Sequence, residues 1–167
     1  MTKREQCEKL YNDAFGQDIE FDKMLFDLFF DCVETLEIDG TVAAMYFKIP
    51  CVLNYNNQKT KAYYIYAVTT HSEYRHQGLM SKLFADTQKE RDTLYFLKPS
   101  SQGVIAFYNQ AGFKQIVGTR APCDAVIEVS DNFKKLSLLC DKPLDTYPIM
   151  TRGIPNIEKL TFEYTLE

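Results

Sequence analysis

The segment EYRHQGLMSKLF at residues 73–84 places basic and amide side chains directly before a glycine and a helical pattern. The first N–H groups of a helix lack intrahelical partners and carry the positive end of the helix dipole, so they favour an anion. Gly78 lets an anion approach the backbone, and Arg75 adds a fixed positive charge. The segment therefore predicts a phosphate-binding turn. The alternative is that Gly78 only eases a turn and that Arg75 makes a surface ion pair.

A second segment with chemical potential, AFYNQAGF at residues 106–113, follows one predicted strand and the start of a further helix. Its Tyr108 carries a hydroxyl group that donates a proton without being charged beforehand. That property suits a general acid beside a leaving group. The alternative is that Tyr108 only packs against the core or a ligand. Phe107 and Phe113 are predicted core residues.

Two amphipathic helices are predicted upstream of these segments, because apolar residues recur there at helical spacing. Their buried faces consist of Cys7, Leu10, Tyr11, Ala14 and Phe15, and then of Phe21, Met24, Leu25, Leu28 and Phe29. Asp39-Gly40 then separates two strand-like runs, which is the pattern of a tight hairpin. A second turn at residues 54–59 leads into the strand TKAYYIYAVTT. These strands predict an antiparallel meander.

The helical period starts again at Gly78 and is followed by a strand, a short helix and a strand. The resulting order is ααβββαβαβ. Strand–helix–strand units near residues 60–98 and 93–118 predict parallel pairs joined to the meander. In the remaining segment, 119–167, the last run alternates in polarity and predicts a half-buried closing strand; its apolar members are Leu160, Phe162, Tyr164 and Leu166. The fold class is therefore α/β with a mixed sheet (α+β).

The two segments together resemble the GNAT superfamily of N-acetyltransferases. Arg75-His76-Gln77-Gly78-Leu79-Met80 resembles the signature Q/R-x-x-G-x-G/A, and the run from Phe107 to Phe113 resembles F-Y-x-x-x-G-F. The resemblance covers about residues 3–118. It implies the GNAT-type acyl-CoA N-acyltransferase fold, in which helices flank a central mixed sheet. We expect one domain over residues 1–167, of which 118–167 lie outside the resemblance.

The resemblance also implies a function, the transfer of an acetyl group from acetyl-CoA to a primary amine of a small molecule or peptide by direct attack. The pantetheine arm is expected on the backbone of Val68, Thr69 and Thr70. The pyrophosphate is expected on the amides of Arg75, His76, Gln77, Gly78, Leu79 and Met80. Tyr108 matches the family tyrosine that protonates the departing CoA thiolate.

Two departures from the family pattern bear on this expectation. Met80 stands where the family has Gly or Ala, although its side chain can turn into the core while its N–H still serves phosphate. The strand from Thr60 to Thr70 has no carboxylate where many members carry a glutamate. The base therefore stays open between solvent and a water held by a carboxylate, with Glu34, Glu37 and Glu128 as candidates. An alternative function is a CoA-binding GNAT module without turnover.

Composition limits the remaining possibilities. A net charge of −4 over 167 residues gives no basic footprint for nucleic acid or an anionic membrane. The N-terminus has no apolar signal core, and no apolar run approaches the length of a membrane span. We therefore predict a cytoplasmic protein. Its oligomeric state stays open between a monomer and a homodimer, in which the alternating C-terminal strand could pair across the interface. With two histidines and scattered cysteines we expect free thiols and no metal; the cysteines are Cys7, Cys32, Cys51, Cys123 and Cys140.

Overall fold

The helices and strands follow the predicted order. A computed structural model describes residues 1–166, and its first nine elements run ααβββαβαβ. In chain order the elements are α1 Lys3–Phe15, α2 Ile19–Phe29, β1 Val33–Ile38, β2 Thr41–Tyr55, β3 Gln58–Thr70, α3 Leu79–Thr87, β4 Leu94–Leu97, α4 Ile105–Gln110, β5 Lys114–Thr119, β6 Val126–Glu128, α5 Asp131–Ser137, β7 Thr146–Arg152 and β8 Lys159–Thr161.

The described residues group into two compact units. Unit 1 comprises Met1–Ile49 and Ile65–Lys89, and unit 2 comprises Pro50–Tyr64 and the chain from Glu90 onward. The long strands β2 and β3 each contribute residues to both units. A single domain over the whole chain stays a prediction.

Unit 1 begins with two capped helices. Thr2 and Glu5 form a reciprocal capping box at the start of α1, which satisfies two backbone N–H groups that have no helical partner. Asp18 caps α2 through the N–H of Phe21. The helices bury most of their predicted apolar faces, with Cys7 and Leu25 fully inaccessible to solvent. Ala14 and Phe15 were predicted to be buried, but both are exposed in the last turn of α1. Capping therefore fixes where each helix starts, and burial fixes which face points inward.

The strands of unit 1 start from the predicted hairpin. β1 and β2 pair antiparallel around Asp39 and Gly40, whose φ values of 49° and 78° are those of a type I′ turn. The helix α3 turns Met80, Leu83 and Phe84 into the core. It also offers the carbonyl oxygen of Thr87 to Lys48 Nζ at 2.7 Å. The last residue of α3 is therefore hydrogen-bonded to β2 within unit 1.

Unit 2 contains a ring of strands. Its neighbours run β2–β3–β4–β7–β5–β8–β6, and β6 pairs back onto β2 with Leu53 opposite Ile127. The turn predicted at residues 54–59 connects β2 and β3, and Asn56 and Asn57 in it have positive φ values. Aromatic rings pack in the interior; Tyr64, Phe96, Phe133 and Phe162 form one cluster, with centroid separations between 5.0 and 6.0 Å.

The sequence-based pairing of the later strands is partly wrong. β3 and β4 are parallel, as expected, but β4 and β5 are not neighbours because β7 lies between them and is antiparallel to both. The strand β7, at residues 146–152, therefore pairs with β4 and with β5, where the crossover rule alone predicted that these two strands pair directly with each other. The closing strand is also shorter than its alternation suggested. β8 covers Lys159–Thr161 only, and three consecutive residues, Leu160, Thr161 and Phe162, are buried, so burial does not alternate there.

Within residues 1–166, the helices are too short or too polar for any of them to cross a lipid bilayer.

The backbone at Gly153 provides a test of unit 2. Its φ is +107°, and a Cβ there would stand 2.0 Å from the carbonyl oxygen of Thr93. We expect Gly153→Ala to lower the free energy of unfolding by about 3 kcal/mol, because it adds a clash to an unfavourable φ. Gly40→Ala is the control, since its φ is +78° but no atom of residues 1–166 lies within 4 Å of the added Cβ. Denaturant unfolding should give a loss of only about 1 kcal/mol for the control; equal losses would contradict the prediction.

Candidate functional site

The end of β3 has an irregular backbone. Ala67 lies inside the strand with φ at +54°, a left-handed conformation that non-glycine residues adopt rarely and that is typical of β-bulges. The registered pairs with β4 are limited to Ala62–Tyr64, whereas β3 continues to Thr70. Of the three predicted pantetheine contacts, Thr69 is buried, and Val68 and Thr70 are half-buried. The strand end is therefore a distinct segment that follows the bulge.

The turn after β3 is held to the sheet of unit 1 by its backbone. The N–H of His71 donates to the carbonyl oxygen of Ala43 at 2.8 Å. The ring of His71 then accepts from the N–H of Glu73 at 3.2 Å. Arg75 Nε donates to the carbonyl oxygen of Thr70 at 3.2 Å. This bond keeps an exposed guanidinium close to the end of β3, where a fixed positive charge was predicted.

The helix α3 starts without a side-chain cap. Its N-cap residue is Gly78, with φ at +72°, and His76 two residues earlier has φ at +62°. Left-handed residues placed in this way turn neighbouring N–H groups toward one side, which creates an anion-binding concavity. Both residues are exposed, and a Cβ on Gly78 would have no atom of residues 1–166 within 4 Å. The turn in front of α3 is thus exposed, and the first amides of the helix have no intrahelical partners, which is the arrangement that favours an anion.

The other side chains of the turn differ in their burial. Met80 is 7% exposed and packs in the core of unit 1, so the residue that departs from the family pattern does not project into the turn. Leu79 is half-buried, and Gln77 is exposed with Nε2 3.5 Å from the carbonyl oxygen of Glu73. The donors present are backbone N–H groups and one guanidinium, and this donor set fits a phosphate or pyrophosphate group.

Tyr108 lies in unit 2, whereas the predicted cofactor-binding residues all lie in unit 1. It is 8% exposed on the short helix α4. Its ring packs edge-on against Phe107 and Phe113, with centroids 5.2 and 6.0 Å away. Its carbonyl oxygen accepts from the N–H of Phe113 at 2.9 Å. The ring is therefore fixed by two aromatic neighbours and by the end of its helix.

Sequence analysis missed a pair of hydroxyl groups in unit 1. The Oη atoms of Tyr11, on α1, and Tyr66, on β3, lie 3.2 Å apart. The ring of Tyr66 packs against Phe47, while Tyr64 is almost fully buried among the aromatic residues of unit 2. Simple alternation along a strand would place Tyr64 and Tyr66 on one face. Tyr64 and Ile65 are both buried, and this interruption of the alternation precedes the bulge.

No group of three or more His, Cys, Asp or Glu side chains in residues 1–166 is arranged to hold a metal ion. The five cysteines are all free thiols. Burial raises the pKa of Cys7 to about 11 and also raises the pKa of Cys32, so both thiols stay protonated near neutral pH. A protonated thiol is a poor nucleophile, which argues against an acyl-cysteine at either position.

Comparison with known proteins identifies the family. Residues 3–116 match the family model described as an acetyltransferase (GNAT) domain. The chain therefore belongs to the GNAT acetyltransferase family, and its mixed sheet flanked by helices is compatible with the GNAT fold. No curated protein matches the chain.

Solved structures agree with this assignment. A conserved protein of Enterococcus faecalis shares 26% identity over 70% of the chain, with a TM-score of 0.56. The present chain covers 31% of that protein, so it spans about a third of its length. Two further matches are similar in fold alone. Naa50 of Arabidopsis thaliana, in complex with a bisubstrate analogue, is 11% identical with a TM-score of 0.52, covering 92% of this chain and 95% of its own. A GNAT acetyltransferase of Brucella melitensis, in complex with acetyl-CoA, is 14% identical with a TM-score of 0.51, covering 78% and 88%.

The buried thiol of Cys7 provides a test of the cysteine assignment. At pH 8 we expect a thiol-specific alkylating reagent to modify Cys7 only as fast as the protein unfolds, because the side chain is inaccessible and its pKa is raised. The half-buried Cys123 and Cys140 serve as internal controls. Peptide mass spectrometry follows each site, and modification of Cys7 as fast as of Cys140 would contradict the prediction.

The stability contributed by protonated Cys7 should be complete below pH 9.0 and lost as the pH rises to about 11.

Proposed function

We propose that this protein is an acetyl-CoA-dependent N-acetyltransferase acting on a primary amine of a small molecule or peptide. The observation that carries the proposal is the turn at residues 75–80, where exposed left-handed residues precede an uncapped helix beside Arg75. Family membership supports it, as do the acetyl-CoA and bisubstrate complexes of the Brucella and Arabidopsis proteins. The remaining predictions, a single domain, a cytoplasmic location and a monomer or homodimer, are retained with it.

Each part of the unit 1 site has a proposed task. The amides of residues 75–80 would hold the pyrophosphate, with Arg75 contributing charge and Gly78 allowing close approach. The backbone of Val68, Thr69 and Thr70 would pair with the pantetheine arm. Support for this second contact comes from the end of the β4 pairing at Tyr64, since the later peptide groups of β3 are not used by that strand. Extended ligands add to such strand edges through main-chain hydrogen bonds.

The chemistry requires a neutral amine and a proton for the leaving group. Acetyl-CoA supplies an acetyl thioester when bound. We propose that Tyr108 Oη gives its proton to the departing thiolate, which an uncharged hydroxyl does without first having to be protonated. The packing of Tyr108 against Phe107 and Phe113 supports this role because contacts with both rings restrict the movement of the tyrosine ring. Solvent or a carboxylate-held water is the proposed base.

A CoA-binding module without turnover is the alternative. Two features favour this alternative, Met80 in the family motif and the absence of a carboxylate between Thr60 and Thr70. The buried side chain of Met80 weakens the first reason, since that side chain does not project into the turn. The two functions differ in release of the CoA thiol in the presence of amines, which only an enzyme produces.

Gly78→Val tests the phosphate turn, and Gly40→Val is its matched control. The two glycines have φ values of +72° and +78°, and for each the added Cβ meets no atom of residues 1–166 within 4 Å. Both variants should therefore lose similar stability. Acetyl-CoA at about 100 times its Kd should raise the Tm of the wild type and of Gly40→Val by roughly 5–10 °C. The shift should be absent in Gly78→Val, because the valine side chain blocks approach to the amides; a normal shift in that variant would exclude the proposed turn.

Tyr108→Phe tests the general acid once a panel of amines has given an active acceptor in a thiol-release assay. The ring is kept and only the proton donor is removed, so kcat should fall by roughly 10²–10⁴-fold while the Kd of acetyl-CoA stays constant. Tyr108→Ala is the comparison, because a packing role predicts loss only in that variant. A wild-type rate in Tyr108→Phe would end the assignment, whereas acetyl-CoA binding without thiol release for every amine would favour the module.

A further inference from the structure

Unit 2 contains a groove that the proposed function does not use. Its volume is about 850 Å³, and its lining comes from the start of β5, the end of β7 and the loop at residues 153–158. The loop passes beside β5 before it enters β8. Pairing between β5 and β8 begins only at Val117, which lies opposite Lys159. The first half of β5 therefore forms one wall of the groove.

The direction of the backbone groups in β5 follows from its two neighbours. Opposite residues of an antiparallel pair alternate between hydrogen-bonded and non-hydrogen-bonded positions. Val117 faces Pro148, which has no N–H, so this pair is a non-hydrogen-bonded one, and the N–H of Val117 instead donates to the carbonyl oxygen of Glu158 at 3.2 Å. Two residues further on, the carbonyl oxygen of Thr119 accepts from the N–H of Phe162. The backbone N–H and C=O groups of the odd-numbered residues of β5 thus point away from β7.

Gln115 is the next residue in this row. It faces Met150 on β7 as a non-hydrogen-bonded partner, and it lies before the pairing with β8 begins. Its N–H and C=O groups therefore point into the groove, where they form a short open edge of the sheet. Open strand edges of this kind are templates for an added strand.

The walls of the groove are held in place by specific contacts. Arg152 Nη1 donates to the carbonyl oxygen of Ala111 at 2.8 Å, and the guanidinium lies 5.1 and 4.8 Å from the ring centroids of Tyr95 and Phe113. The close approach of Gly153 to Thr93 fixes the start of the loop. A cavity with walls of this kind needs little rearrangement before a ligand binds.

Charge and exposure indicate the chemistry of the occupant. Lys114 and Arg152 lie where β5 begins, and Glu158 lies at the opposite end beside Val117, whose side chain is 44% exposed. The cationic end contrasts with a chain of net charge −4. We propose that this groove binds an extended peptide segment with an acidic side chain, which adds to the edge of β5 at Gln115 ahead of β8. The acidic side chain binds at the Lys114 end, and apolar side chains contact the exposed Val117.

The peptide acetyl-Val-Glu-Val-Glu-Val-amide is the probe, titrated into isotope-labelled protein and followed by NMR. We expect saturable shifts centred on the amide of Gln115, and binding weaker by about tenfold or more for the lysine counterpart and for a peptide N-methylated at alternate residues. Absence of binding by the acidic peptide, equal binding by the methylated one or shifts centred elsewhere would overturn the proposal.

Gln115→Pro and Gln115→Ala form the matched pair of variants. Proline removes the N–H that faces the groove and spares the bonds to β7, whereas alanine keeps the N–H. We expect Gln115→Ala to bind like the wild type and Gln115→Pro to lose binding with a native-like spectrum; equal binding by both would refute the proposal. If the proline variant does not fold, the methylated peptide still decides. Sedimentation analysis tests whether a second copy of the chain binds in the groove instead of a peptide. A dimer that forms through Gln115 would contradict the peptide proposal.

Discussion

The left-handed backbone of Ala67 interrupts a strand of 13 residues, and the candidate site depends on it. A non-glycine residue in this conformation costs on the order of 1–2 kcal/mol, so surrounding contacts have to hold it. Ala67 is itself buried, and four residues later the N–H of His71 bonds to Ala43. These contacts keep the distorted strand in the sheet of unit 1. The strand end and the turn after it take their orientation from this one residue.

The proposed pyrophosphate site in the turn that follows is compatible with Met80, the residue that departs from the family pattern. Anion recognition by a helix start uses N–H groups, which every residue other than proline provides. What the position requires is a side chain that stays out of the way, and burial in the core of unit 1 achieves this for methionine. Gly78 is different, because its left-handed φ would strain an L side chain, and that side chain would stand at the exposed surface of the proposed anion site.

The C-terminal segment changes the pairing of the later strands more than their order. β7 separates β4 from β5, and β8 and β6 continue the ring back to β2. The same arrangement leaves the first half of β5 without a strand on the side opposite β7, because the pairing with β8 starts at Val117. A strand edge with open backbone groups and a wall containing Arg152 is the result. The ring thus removes most free edges of unit 2 and leaves a short one at Gln115.

Local chemistry was sufficient for much of this molecule. Helical periodicity, the Asp39-Gly40 turn and the two motifs predicted nine elements in order, because each depends on residues close in sequence. Three features had no such signal. Ala67 is an ordinary strand residue by type, Tyr11 and Tyr66 are 55 positions apart, and β7 has no mark that distinguishes an inserted strand from an added one. Their arrangement follows from long-range packing and hydrogen bonding, which the order of residues along the chain does not display and only the tertiary structure decides.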